Sequence, residues 1–388
     1  MSATCDVAIL GAGIVGAACA RALAMAKLRV VVIDGNPIGS GATAAGMGHI
    51  TVTDDSEAQF ALTHYSQQLW NELATQLPAD VEHVQTGTLW IAADNEEMEA
   101  VRQKRAFFQQ RGVAAEILDA NAVAEAEPSL RTGLPGGLRV PGESVIYPPC
   151  AARWLIEQAQ AHGATVCGGV NVTHCAGRTI HLSDGASLSC SHLVHATGAW
   201  ATKLVPHLPI RPRKGHLVIT DRYPGWVRHQ IVELGYLKSA HGGGRESVAF
   251  NLQPRKTGQL LLGSSRQFGV ECLDVEPRML KRMIARGLEY MPGLARLSAI
   301  RAWTGFRAAT PDSLPLIGPA EIDGHLLATG HEGLGITTSL GTAELIACQV
   351  TGETPAIASA PYLPSRFFLP SSLRGRGAGG QGKGASHG

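Results

Sequence analysis

The chain has 388 residues, enough for two separate cores. Its 45% hydrophobic and 17% charged residues are those of an ordinary globular protein, and a net charge of +1 excludes the broad basic surface of a nucleic-acid or anionic-membrane binder. Eight cysteines are scattered without a single CxxC pair, which argues against a zinc or iron–sulfur site carried by this chain and against a secreted disulfide framework.

Residues 6–10 form a short apolar strand that ends at Gly11. A helix follows over 14–27, where Ala17, Ala18, Ala20, Leu23 and Ala24 suit close packing on a sheet, and Val30 to Ile33 is a fully apolar strand of the kind buried in a parallel sheet. This opening run is broken by Arg21, Lys27 and Arg29 and lacks a basic leader, so it reads as neither signal peptide nor transmembrane helix, and a cytoplasmic location is expected.

A glycine-rich stretch at 39–48 precedes a helix over 56–77, a strand over 87–91 and a charged surface helix over 96–111. Asp119 and Asn121 are candidate caps for a short helix before Pro128. A helix over 151–162 is followed by strands at 165–172 and 193–196. Residues 210–263 hold several β-rich runs split by glycine and proline, an antiparallel sheet inserted into the α/β frame. Helices at 277–290 and 335–350 flank a strand at 326–329, and the Gly- and Ser-rich end cannot bury a core.

The chemistry starts at the first turn. Gly11 permits the tight bend, Gly13 lets a pyrophosphate approach the backbone, and Gly16 allows close packing of helix on strand. Ile14 and Val15 open the helix, whose N-terminal amides attract phosphate. Asp34 ends the second strand 23 positions after Gly11, where a carboxylate meets a ribose hydroxyl and disfavours a 2′-phosphate. This unit binds a dinucleotide but leaves FAD and NAD open.

Three later segments decide between them. Gly41, Ala42, Thr43, Gly46, Met47 and Gly48 form a loop of small residues that can wrap an anionic surface. Thr197, Gly198 and Trp200 follow a strand in an Ala-Thr-Gly turn. Gly330, Glu332, Gly333, Leu334, Gly335, Ile336 and Thr337 read as an amide-rich helix start preceded by the Gly305–Gly318 run. With these segments the chain resembles, from about residue 6 to 362, the D-amino-acid oxidase, glycine oxidase and sarcosine oxidase family of flavoproteins.

The resemblance implies an α/β fold in which a discontinuous Rossmann-like FAD-binding domain (1–85, 145–208 and 300–365) carries an inserted antiparallel-sheet substrate domain (86–144 and 209–299), with a disordered tail from 366 to 388. It implies non-covalent FAD held by the residues just named, and oxidation of a C–N bond beside a carboxylate by hydride transfer to the flavin. Arg307 matches the family's carboxylate anchor, and a guanidinium suits that task because its fork is planar and bidentate. His49 ends the cofactor loop and is either a substrate contact or a histidine packed for structure. Tyr236 stands where relatives place an aromatic over the substrate, with Tyr223 and Tyr147 as competitors.

The segments 46–59 and 87–97 look closest to flavoprotein subunits of multi-subunit dehydrogenases, those of D-hydroxyproline dehydrogenase and hydrogen cyanide synthase among them. That likeness implies D-hydroxyproline or D-proline as substrate and partner redox subunits, hence a hetero-oligomer, as electron acceptor. The alternative is a glycine- or sarcosine-type oxidase that reduces oxygen. An NAD-dependent dehydrogenase would lack the His331–Ile336 segment, and a non-catalytic electron relay would not need Arg307.

Overall fold

The structure, a computed structural model, describes residues 3–235 and 246–367. Small residues on α1 (Ile14–Met25) let it lie close on β1 (Ala3–Leu10) and β2 (Val30–Asp34), with Ala17, Ala20 and Ala24 wholly buried. The chain continues through β3 (His49–Ile50), α2 (Glu57–Leu73), β4 (Thr88–Ala92), α3 (Asn95–Gln110), β5 (Glu116–Asp119), α4 (Ala120–Ala126), β6 (Gly136–Val140) and β7 (Ser144–Val145). Then come α5 (Pro148–Ala161), β8 (Thr165–Gly168), β9 (Val172–Ala176), β10 (Thr179–Leu182) and β11 (Ser187–His195). The last part holds β12 (Arg211–Arg222), β13 (Gln230–Glu233), β14 (Glu246–Pro254), β15 (Gln259–Phe268), α6 (Pro277–Tyr290), β16 (Ala299–Ala309), β17 (Leu316–Pro319), β18 (His325–Thr329) and α7 (Ser339–Thr351).

Two large sheets organise these elements. The first runs β17-β18-β11-β1-β2-β8, with β10 and β9 attached to β11. Its central strand β1 pairs in parallel with both β11 and β2, so the carboxyl ends of three strands meet at the glycine turn after Leu10. The second sheet runs β16-β12-β15-β14-β13-β4-β6-β5, and α6 packs on β14 and β15. Separate apolar cores lie under each sheet, one around Ile9, Leu23 and Trp70 and another around Ile231, Phe250 and Tyr290. Among the described residues no helix is long and apolar enough to cross a membrane.

Several sequence expectations shift in detail. Asp119 caps α4 by accepting from the Ala122 amide at 2.9 Å, whereas Asn121 lies inside that helix. The first turn of α5 carries Pro148, so the helix begins three residues before 151. The inserted sheet is not wholly antiparallel, because β13 pairs in parallel with β4. Strand β16, placed by sequence with the cofactor unit, hydrogen-bonds to β12 along its length and belongs to the second sheet. The last helix starts at Ser339 rather than 335, because residues 335–338 are turns. Arg366, expected in the tail, is fixed to Asp312 at 2.7 Å; residues 368–388 lie outside the described residues.

The junction between the sheets buries charge. Lys104 of α3, expected on a solvated face, is 4% exposed, ion-paired with Asp54 and placed 4.5 Å from the Trp90 ring centroid. Beside this pair, the fully buried Glu143 accepts from the Val52 amide at 2.8 Å. Burial pushes the Glu143 carboxyl up to about 7, against the opposing pull of the Thr88 hydroxyl, the Val52 amide and Lys104. A pKa raised on folding means that the native state binds this proton more tightly than the unfolded chain. The stabilisation is therefore full below about 4.5 and is lost as pH rises through 7. Glu143→Gln cannot ionise, so its stability relative to wild type should improve by on the order of 3 kcal/mol between those limits. Thermal melts of both proteins across that range check this, and a constant difference in Tm would contradict it.

Candidate functional site

The turn between β1 and α1 is shaped by three close approaches. Gly11 has a φ of +105°, and a Cβ there would stand 2.6 Å from the Ala196 carbonyl oxygen. A Cβ on Gly16 would come within 1.9 Å of the Gly11 carbonyl oxygen, so the helix can seat on the turn only with glycine at this point. Gly13 caps α1 in extended conformation with no side-chain cap of its own. The Thr43 hydroxyl instead accepts from the Ile14 amide at 2.9 Å, tying the second glycine loop to the helix start. The neighbouring amides of that first turn have no intrahelical partner and are available to an anion.

Asp34 closes the turn from the other side. Its Oδ2 accepts from the Ala12 amide at 2.7 Å and its Oδ1 from the Asn36 amide at 2.8 Å. The carboxylate therefore fixes the glycine loop while also lining the cavity, where Oδ2 keeps a further lone pair for a ribose hydroxyl and Oδ1 is also met by the Asn36 side-chain amide at 3.5 Å. Asp34→Ala should loosen both functions. We expect flavin to dissociate about a hundredfold more readily, read as the rise of free-flavin fluorescence on dilution. Retention equal to wild type would show the carboxylate to be dispensable.

A cavity of about 720 Å³ lies between the ends of β1, β2 and β11 and the face of the second sheet. That volume falls in the upper part of the range for small-molecule and cofactor sites, roughly 300–1,000 Å³. Gly11, Gly13, Ile14, Val15 and Asp34 line one end, together with Asn36 and Asn171, which sequence reasoning missed. Gly41, Ala42, Thr43, Gly46, Met47 and Gly48 form one side, and Thr197, Gly198 and Trp200 another. Gly330, Glu332, Gly333, Gly335 and Ile336 also reach it. Gly16, Leu334 and Thr337 do not: Gly16 packs under the turn, and the Thr337 hydroxyl donates to the His49 carbonyl at 2.9 Å.

The cavity fits FAD on features of the protein itself. The Thr197 hydroxyl oxygen is buried without a partner on its wall, the first turn of α1 keeps amides beyond Ile14 that its own cap residue does not satisfy, and the loop around Gly41 to Gly48 leaves a cradle of backbone. Those groups suit a pyrophosphate and its flanking sugar.

The far wall is made by side chains of the second sheet. Arg307 on β16 donates from Nη1 to the Ser265 carbonyl at 3.0 Å and lies across β12 at Gly215. A Cβ on Gly215 would stand within 2.4 to 2.9 Å of guanidinium atoms, so glycine there leaves the room that the arginine fills. The remaining guanidinium N–H groups are free to grip a carboxylate in the cavity. Leu217, Asn251, Ser264 and Phe306 line this wall, with Leu273 from the segment before α6 beside them. Alternation along β12 was the signal that could have found Gly215 and Leu217.

Glu332 takes a φ of +50° and pairs with Arg213 at 2.8 Å. Burial would raise its carboxyl, but Arg213, Arg307 and Arg266 outweigh that and hold it below the ordinary value. It is a standing counter-charge to the arginines, with its carboxylate committed to Arg213. His49 lines the cavity, and burial pushes its ring down to about 3, with the Gln253 side chain opposing, so the imidazole stays neutral at physiological pH. Tyr236 lies outside the described residues. Of its competitors, Tyr223 accepts from the Ser298 amide at 2.9 Å and Tyr147 lies under Arg255 at 4.1 Å, and neither lines the cavity.

Residues 6–349 match the protein family described as DAO, FAD dependent oxidoreductase. The chain is 27% identical to hydrogen cyanide synthase subunit HcnC of Pseudomonas aeruginosa, over 95% of this chain and 97% of that protein. It is 29% identical to the D-amino acid dehydrogenase of Methylobacterium nodulans, over 79% and 73% of the two chains. The solved glycine oxidase of Geobacillus kaustophilus superposes with a TM-score of 0.85 at 26% identity, covering 94% of this chain and 99% of that one.

Proposed function

The chain belongs to the DAO family of FAD-dependent oxidoreductases, and from that premise we propose that it oxidises the C–N bond of a small amino or imino acid, with D-proline or D-hydroxyproline as the substrate. The two glycine loops would hold FAD non-covalently, and the cofactor would supply the hydride acceptor. The observation that carries the substrate reading is Arg307, whose guanidinium is braced on Ser265 and exposes its remaining donors to the cavity. It binds the substrate carboxylate and so fixes where the α-carbon stands. Positioning of this kind accounts for much of the rate in such a reaction.

Around the anchor, Leu217 excludes water, and Asn251 offers a polar edge to the substrate nitrogen. His49 stays neutral and does not compete with Arg307 for the carboxylate. Electrons leave to a partner redox subunit, a reading supported by the likeness to a protein named as a synthase subunit. A glycine- or sarcosine-type oxidase is the second reading, favoured by the superposition on glycine oxidase.

Anaerobic addition of D-proline, D-hydroxyproline, glycine and sarcosine to the purified yellow protein tests both. We expect the first two to bleach the flavin, slow reoxidation on admitting air, and all colour in the supernatant after acid precipitation. No bleaching by any of the four removes the amino-acid reading. Rapid peroxide formation replaces the dehydrogenase by the oxidase, and a yellow pellet overturns non-covalent binding.

A further inference from the structure

The face of the second sheet that looks toward α3 is apolar around Val52, Trp90, Leu138 and Val232, yet one row across it is polar. Strand β14 alternates, with Phe250 and Leu252 in the core under the sheet and Asn251 and Gln253 on the opposite face. Leu252 pairs with Ile231, which sets Gln253 beside Gln230 on β13, and Gln230 pairs in turn with Thr88 on β4. Gln253, Gln230 and Thr88 thus form a row about 10 Å long at the usual strand spacing. All three are buried, and each holds a polar atom without a partner: Gln253 Oε1, Gln230 Oε1 and Thr88 Oγ1.

Both ends of the row lead somewhere. At one end the Gln253 side chain acts on the ring of His49, which lines the cavity and has an unpartnered Nε2. At the other, the Thr88 hydroxyl favours the ionised form of Glu143, whose Oε2 is also unpartnered. Lys104 from α3 and Asp54 from the segment before α2 face Glu143, and Asp54 is 15% exposed. Gln253 lies within reach of the His49 ring and Thr88 within reach of the Glu143 carboxyl, yet neither approach closes to a full hydrogen bond, so the gaps along the row suit bridging water.

We propose that His49, Gln253, Gln230, Thr88 and Glu143 form a water-bridged proton path from the cavity to solvent at Asp54. The inference rests on the amine-oxidation reading for the origin of its proton. An amino acid arrives as an ammonium ion, and an N–H bond must break, leaving its electron pair on nitrogen, before the α-hydrogen departs with two electrons as hydride. With the cavity filled, that proton needs a route other than the mouth. The row supplies it: His49 accepts or donates as a neutral ring, the amides and hydroxyl orient water, and Glu143 takes the proton and hands it toward Asp54. Glu143 suits the last step because its carboxyl gains and loses a proton near neutral pH.

The FAD-loaded protein tests the path in two ways, with Thr88→Val, Thr88→Ser and Glu143→Gln compared with wild type. In the first, D-proline reduces the flavin anaerobically in light and heavy water. In the second, the bound flavin is photoreduced without any amino acid, and uptake of its proton (two electrons and one proton per flavin) is followed with an indicator dye. We expect Thr88→Val and Glu143→Gln to slow both events about tenfold and to raise the solvent isotope effect, with D-proline affinity and the flavin spectrum unchanged. Thr88→Ser restores the wild-type rates because it returns the hydroxyl. Wild-type proton uptake in both Thr88→Val and Glu143→Gln overturns the path, as does failure of Thr88→Ser to restore it. If no amino acid bleaches the wild type while dye uptake still slows in the variants, the substrate reading falls and the path stands.

Discussion

Arg307→Ala is expected to weaken productive binding of the amino acid by about two to three orders of magnitude, because a paired charge contact of this kind is worth roughly 3–4 kcal/mol when one partner is removed. The loss should appear as a higher substrate concentration for half-maximal flavin bleaching and as a lower limiting rate, since the α-carbon is no longer held in place. Folding should survive. Arg213 keeps its own pair with Glu332, so removal of Arg307 does not strand that buried carboxylate. The missing donation to the Ser265 carbonyl leaves an acceptor next to the cavity, where water can replace it. Arg307→Lys retains the charge without the fork and should recover only part of the loss. An unchanged half-saturation and rate in Arg307→Ala would remove the anchor from the proposal.

The second large effect concerns the first turn. Gly11→Ala should give a colourless protein whose Tm is lower by about 10 °C, from left-handed backbone strain of about 1–3 kcal/mol and a clash of similar cost. The clash is with backbone, the Ala196 carbonyl at 2.6 Å, which cannot swing aside as a side chain would. Gly163→Ala separates the two causes. Gly163 also has positive φ, at +96°, but nothing lies within 4 Å of the added carbon and it does not line the cavity. It should therefore cost only the strain, about 1 kcal/mol, and keep its flavin. The ratio of visible to ultraviolet absorbance and a thermal melt measure both. Gly11→Ala that purifies yellow and melts with the wild type would refute the argument.

Short-range features were legible from sequence, and features set by distant pairing were not. The β1-α1-β2 unit could be read because its strand, turn and helix signals fall within one continuous stretch, and Asp34 stands where that local geometry puts it. The face of Arg307 was harder. The resemblance marked the residue, but the brace on Ser265 and the glycine beneath it come from β15 and β12, far away in the chain. The sequence of β16 runs on into β17, which pairs with β18 in the first sheet, yet the hydrogen bonds of β16 go to β12 in the second. Lys104 and Glu143 were missed as buried groups, the first on a helix that reads as solvated and the second in a Pro-Gly-Glu-Ser turn. Both are buried against partners distant in the chain, Lys104 against Trp90 and Asp54 and Glu143 against Val52, and nothing in either local sequence announces it.

The two walls of the cavity differ in what they are made of, and this bears on how such a protein can change over time. One wall is chiefly backbone: a bent glycine turn, the first turn of α1 and a loop of small residues. Substitution there leaves the chemistry of amides untouched and mostly does harm by collision. The opposite wall is a row of side chains on a sheet with its own core, where Leu217, Asn251 and Ser264 can be exchanged while the strands stay paired. Mutation can therefore explore new specificities on one side without risking the cofactor on the other. A lineage built this way would diversify in substrate quickly and in redox group hardly at all.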